Sequence, residues 1–106
     1  MVPKEIIFSP EAEKTFKKLS RQDQKTVWAA LKKFRDGESG TQIEKIKANP
    51  AFYRFRAGVF RVVYYPLSEG RVVLLVIGDR KSIYNKIPGL GQKLETALRK
   101  LKVAKR

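Results

Sequence analysis

The stretch YRFRAGVFRVVYY, residues 53–65, sets Arg54, Arg56 and Arg61 into an otherwise apolar and aromatic run. A second apolar run closes as VIGDRKSIYN, residues 76–85, and ends on Arg80, Lys81 and Tyr84. A guanidinium is a planar fork of donors that keeps its charge and matches the oxygens of a phosphate. Arginines held on rigid strands therefore make a preformed site for a phosphate-bearing partner. A solvated basic face is the plain alternative.

The elements that must hold these residues follow from periodicity. Side chains alternate along a strand, so Tyr53, Phe55 and Ala57 share one face and Arg54 and Arg56 the other. A two-residue loop at Gly58-Val59 pairs Arg56 with Arg61, and one at Ala57-Gly58 pairs Arg54 with Arg61. Either register puts Arg54, Arg56 and Arg61 on one face. Tyr53, Phe55, Phe60, Val62 and Tyr64 then form the core side. The run RVVLLVIG, residues 71–78, is unbroken, apolar and rich in β-branched residues, as expected of a central strand covered on both faces. Arg80, Lys81 and Tyr84 are expected in the loop that leaves it, and rigid scaffolds often hold functional residues in such loops.

Toward the N-terminus, residues 4–9 read as a short strand. Ser9-Pro10 opens a helix with Ala12, Phe16 and Leu19 on one face, and Glu11 and Glu13 complement its dipole. Ser20 with Asp23 opens a second helix that buries Val27, Ala30, Leu31 and Phe34 and stops at Gly37. Residues 36–42 read as a loop, and 43–50 are ambiguous up to Pro50. Ser68-Glu69-Gly70 is a turn. Gly89 and Gly91 precede a last helix with Leu94, Ala97, Leu98 and Leu101 on one face. The order β-α-α-β-β-β-α gives an α+β fold: an antiparallel twisted sheet, an N-terminal helical hairpin and a C-terminal helix, in a single domain over 1–106.

Composition bounds the chemistry. The 106 residues carry 24 Lys plus Arg against 10 Asp plus Glu, a net charge of +14, which favours a polyanionic partner. There is no cysteine and no histidine. This excludes disulfides, Cys- or His-ligated zinc and Ser-His-Asp triads. No apolar run approaches the roughly 20 residues of a membrane span, and the N-terminus lacks the apolar core of a signal peptide, so the expected location is cytoplasmic.

The hairpin and the strand with its basic ending, in this order along nearly the whole chain, resemble the RelE/ParE toxin superfamily, and within it the RelE-type mRNA interferases. The hairpin pattern Y-R-x-R…G-x-F-R-V-V-Y carries the superfamily resemblance. The ending G-x-R-x-x-x-Y, Gly78 to Tyr84, points to RNA cleavage within it. The resemblance implies a toxin of a type II toxin–antitoxin pair that enters the ribosomal A site and cuts mRNA without a metal or other cofactor. Its partners would be a cognate antitoxin, the ribosome and mRNA.

The family's basic residues carry over to Arg54, Arg56, Arg61 and Arg80, and its aromatic residue to Tyr84. Some members have lysines at the first two hairpin positions. Arginine here puts a lysine-type acid–base role in doubt at 54 and 56, because a guanidinium stays protonated. RNA supplies its own nucleophile, the 2′-OH, and an enzyme can align it and stabilise the developing charge. Arg61 and Arg80 are assigned to the scissile phosphate. Arg54 and Arg56 hold the backbone and assist the leaving group electrostatically. Tyr84 stacks on a base or takes part in proton transfer. Lys81 and Lys86 extend the RNA-binding cations, and Lys81 is a second candidate for proton transfer. The expected product is a 2′,3′-cyclic phosphate. The same features also fit a non-catalytic RNA-binding protein. A ParE-like toxin directed at DNA gyrase is a third reading, against which the basic segment 79–86 argues. Trp28 lies about 100° off the core face of its helix; it either flanks the core or forms part of an antitoxin groove. The basic end, residues 98–106, is expected to contact rRNA or acidic antitoxin side chains.

Overall fold

Ser9 joins the first strand to the first helix and pins both to the centre of the sheet. The computed structural model describes residues 5–37, 43–47 and 51–104, the last four by backbone alone. Strand β1 (Glu5–Phe8) runs into helix α1 (Pro10–Lys18). Between them the Ser9 hydroxyl accepts the Ala12 N–H at 3.0 Å and donates to the Leu75 carbonyl at 2.9 Å, while the Ser9 N–H donates to the Leu74 carbonyl. The hydroxyl thus fills one of the helix's orphan donors and satisfies a carbonyl of the central strand at once.

Helix α2 (Arg21–Asp36) is capped by Ser20, whose hydroxyl accepts the Asp23 N–H, and it ends on Gly37 at φ 69°. A left-handed residue there suits glycine. Strand β2 (Ile43–Lys45) resolves part of the ambiguous segment 43–50. Strands β3 (Tyr53–Ala57) and β4 (Phe60–Pro66) form the hairpin, and β5 (Arg71–Asp79) follows the turn at Ser68-Glu69-Gly70. Helices α3 (Arg80–Lys86) and α4 (Leu90–Ala104) complete the chain. The expected loop over 36–42 falls mostly outside the described residues, as do the side chain of Leu101 and those of the basic end from 101 onward.

The strand order is β1-β5-β4-β3-β2. The α+β class and the helical hairpin are as expected; the sheet gains β2 as a fifth strand, and there are three further differences. The sheet is mixed, because β1 pairs with β5 in parallel; the helical hairpin carries the chain across the sheet before the meander begins. Residues 80–86 form a helix rather than a loop, because Asp79 caps them by accepting the Ser82 N–H at 2.7 Å. Gly91 lies inside the first turn of α4 rather than before it.

Each face of the sheet carries a core. Under α1 and α2 lie Val27, Leu31, Phe34, Phe55, Val62, Tyr64, Leu74 and Ile77. Phe34 stacks on Phe55 at 4.6 Å and tilts against Tyr64 at 4.8 Å. Under α3 and α4 lie Val63, Val73, Leu75, Val76, Ile83, Leu90 and Ala97. Strand β5 serves both faces, as its unbroken apolar run predicts.

Candidate nucleic-acid interface

The hairpin closes through Gly58-Val59, so Ala57 faces Phe60 and Arg56 faces Arg61. Of the two registers open from sequence, this is the first. Gly58 has φ +64°, and Val59 does not share the positive φ, as in a type II′ turn. A Cβ on Gly58 would sit 2.6 Å from Thr26 Cγ2, so the hairpin tip rests closely on α2.

Paired residues share a face. Arg54 faces Val63 and Arg56 faces Arg61, so all three arginines lie on the side of the smaller core, Arg54 level with Val63 and the other two beyond it. Tyr53, Phe55, Phe60, Val62 and Tyr64 lie on the other side, as expected. Like charges directly opposite one another cost a few tenths to about 1 kcal/mol. Among the described residues no carboxylate forms an ion pair with Arg56 or Arg61.

A β-bulge brings the second basic segment to this side. Val63 pairs with Val76, but Tyr64 pairs with Leu74, leaving Leu75 as the extra residue. Leu75 and Val76 consequently both face the smaller core, and from Val76 onward the alternation is inverted. Gly78 therefore pairs with Arg61 on the arginine face. Helix α3 crosses directly above it: a Cβ on Gly78 would meet Ser82 Cβ at 3.2 Å and Ile83 Cδ1 at 3.6 Å. Arg80 and Lys81 occupy the exposed first turn of α3. Tyr84 presents a ring that is 75% exposed.

Arg54, Arg56 and Arg61 line one depression of about 230 Å³ together with Glu44 and Phe55. An adjoining depression of about 470 Å³ is lined by Tyr84, Ile87, Pro88, Ile46, Lys45, Lys47, Glu44 and Arg54. Glu44 and Arg54 thus stand between the two. They face each other in the β2–β3 register and form an ion pair at 3.7 Å. The sequence reading overlooked Glu44, Lys45 and Lys47; the only signal was charge in a segment that gave no clear periodicity. The structure brings Arg54, Arg56, Arg61 and Tyr84 to the two depressions. Arg80 and Lys81 stand in the first turn of α3 but line neither. Lys86 turns away and pairs with Glu11 of α1 at 3.1 Å.

The two tyrosine environments are opposites. Tyr64 is buried against Phe34 and Tyr53, and burial, with the Tyr53 hydroxyl adding to it, pushes its phenol up to about 12. It stays neutral in the core, while Tyr84 stands in solvent. Asp79 is held below its ordinary value chiefly by the Ser82 N–H, so it caps α3 as a carboxylate.

On the other side of the molecule, Trp28 is 49% exposed beside a groove between β1 and α2 floored by Ile6, Phe8 and Leu31 and edged by Lys32 and Arg35. Among the described residues no helix is long and apolar enough to cross a membrane.

No family model matches the chain, and no curated protein matches it in sequence. Solved structures do. The RelB–RelE antitoxin–toxin complex of Methanococcus jannaschii superposes with a TM-score of 0.59 at 21% identity, covering 74% of this chain and 95% of the matched one. A mutant of the Escherichia coli toxin RelE in the free state gives 0.58 at 16% identity, over 93% and 98% of the two chains. This chain has a RelE-type toxin fold. The archaeal RelE–RelB complex of Pyrococcus horikoshii gives a further RelE match, with a TM-score of 0.52 at 18% identity over 76% and 97%. In the RelE-type fold of this chain, the arginine hairpin and the Tyr84 helix meet on the sheet face opposite the helical hairpin.

Proposed function

We propose that this chain is the toxin of a toxin–antitoxin pair, and that it is an endoribonuclease that cuts mRNA in the ribosomal A site and so inhibits translation. One observation carries the reading: on a RelE-type fold, Arg54, Arg56 and Arg61 converge in a depression that adjoins an exposed Tyr84. RNA brings the 2′-OH nucleophile. Arg61 and Arg80 stabilise the non-bridging oxygens of the scissile phosphate, whose charge grows in the transition state. Arg54 and Arg56 hold the backbone and Tyr84 stacks on a base, splaying the nucleotide for in-line attack. The antitoxin is the protein partner; RelB occupies that place in the complexes of M. jannaschii and P. horikoshii, and the Trp28 groove is a surface that it can cover here.

Two experiments test this. Induced alone, the protein should arrest translation, and co-expression of its antitoxin should relieve the arrest. The purified protein should leave naked mRNA largely intact and cut it on programmed ribosomes. Binding to ribosomes without cleavage would favour a non-catalytic RNA-binding protein, and rapid cleavage of free RNA would point to a conventional ribonuclease.

A further inference from the structure

We infer that Gly78 is a positioning residue for the cleavage: by carrying no side chain it lets helix α3 lie close on the sheet, and so sets where the Tyr84 ring stands relative to the arginine face; this rests on the endoribonuclease reading above. A glycine inside a strand loses more freedom on folding than alanine and packs no side chain, so it weakens the strand. Backbone conformation does not demand it, because Gly78 is not among the glycines with positive φ. A close neighbour does. A Cβ at Gly78 would lie 3.2 Å from Ser82 Cβ, so near that α3 would have to give by a few tenths of an ångström, and it would touch Ile83 Cδ1 and Cγ1 at 3.6 and 3.8 Å.

Helix α3 carries the consequence to the site. Gly78 pairs with Arg61 in the β4–β5 register, so its missing side chain belongs to the arginine face. The Asp79 carboxylate ties the first turn of α3 to the strand end through the Ser82 N–H. Buried Ile83 anchors the middle of this seven-residue helix, and Tyr84 is the next residue along it. The Tyr84 ring is itself mostly exposed, so its place is set by the helix that carries it rather than by packing of its own. A lift at Ser82 and Ile83 therefore moves Tyr84 relative to Arg54, which lines both the arginine depression and the depression beside Tyr84. The ladder that holds Arg54, Arg56 and Arg61 is untouched, so the phosphate grip stays while the ring is displaced. In-line attack depends on where the splayed base is held, and a misplacement of about 1 Å can cost about 100-fold in rate.

The experiment is single-turnover cleavage of mRNA on saturating programmed ribosomes by the wild-type protein, Gly78→Ala, Ser82→Gly and their double variant, and by Gly78→Ala in a Tyr84→Ala background. Ribosome affinity and the urea midpoint are measured in parallel. Alanine suits a strand better than glycine, which offsets the crowding, so the midpoint of Gly78→Ala should stay close to that of wild type. Its saturated rate should fall about three- to tenfold with affinity nearly unchanged, as a shift of a few tenths of an ångström implies. Ser82→Gly removes the atom that the new methyl meets, so in its presence Gly78→Ala should cost less than about twofold. In the Tyr84→Ala background there is no ring left to misplace, and the cost should again be less than about twofold. A Gly78→Ala rate equal to wild type overturns the assignment. So does a loss that Ser82→Gly fails to restore, or one that repeats in full without Tyr84, because the methyl would then act on the substrate or the fold and not through α3. A wild-type protein that does not cut on ribosomes overturns the endoribonuclease reading itself and this assignment with it.

Discussion

On one face of the sheet the apolar core runs out to the hairpin tip: Phe34, Phe55 and Tyr64 interlock, Phe60 packs beside them, and Gly58 rests on Thr26 of α2. On the other face the core reaches only to Val63, and the same two strands carry Arg54 beside it and Arg56 and Arg61 beyond it. The backbone is shared, so the rigidity gained on the first face is available to the second. Like-charged side chains can stand opposite one another on β3 and β4 because the apolar side of those strands holds them there. Stability and function are divided between the two sides of one hairpin.

The apolar side of the hairpin is the more costly one to disturb. Phe55→Ala removes a fully buried ring from the aromatic cluster and should cost about 3–5 kcal/mol, read as a lower urea midpoint at unchanged slope. The arginine side should behave in the opposite way. Arg61→Ala removes one member of a like-charge pair, so melting should stay the same or rise slightly, by a few tenths of a kcal/mol. Its saturated cleavage rate should nevertheless fall about 100-fold, and Arg80→Ala should behave likewise. Arg54→Ala should act more through binding, lowering the salt slope of ribosome affinity by about one unit. If Arg61→Ala and Arg80→Ala leave the saturated rate unchanged, the arginine face is a phosphate-binding surface and no more.

A smaller effect tests how the two faces are kept in register. The bulge at Leu75 turns Gly78 toward Arg61, and Ser9 satisfies the Leu75 carbonyl while capping α1. Ser9→Ala loses the cap and leaves a buried carbonyl without its donor. The expected loss is about 1–3 kcal/mol by thermal or chemical denaturation, with Ser9→Thr retaining part of it. A loss below about 0.5 kcal/mol would mean that the strand, rather than Ser9, holds the bulge.

Several of these features were legible in the sequence. Alternation in β3 and β4 sorted the arginines from the core residues because each strand has one face of each kind. Helices α1 and α2 announced themselves through Ser9-Pro10, Ser20 and Gly37. The bulge was not legible. In VVLLVI every residue is apolar, so inverting the alternation moves one buried residue for another and leaves no trace in hydropathy. Helix α3 was hidden because Arg80 and Lys81 are unfavourable at a helix N-terminus; the Asp79 cap and the packing of Ile83 on Gly78 override that. Glu44 was missed for a related reason. Strand β2 is three residues long and exposed throughout, so no apolar pattern marked it as part of the sheet.

One contact joins the layers on the two faces directly. Glu11 belongs to α1, on the side of the larger core; Lys86 and Lys93 belong to α3 and α4, on the other, and both pair with its carboxylate. Burial alone would raise the Glu11 carboxyl, but hydrogen bonds and charge from Lys93 and Lys86 outweigh it, and the group is held below its ordinary value of 4.5. A carboxyl depressed in the folded state stabilises the fold above its ordinary value, and that contribution disappears as the pH falls through the lowered one. The clasp is partly exposed, so its worth is modest, about 1 kcal/mol at most. Glu11→Gln should therefore melt slightly below wild type at pH 7, with Lys86 and Lys93 left facing each other. The gap should close as the pH is taken from 4.5 downward, because the wild-type carboxyl then becomes neutral too. A gap that persists unchanged into strong acid would show that Glu11 contributes through packing rather than charge. The two helical layers would then be joined by the sheet alone.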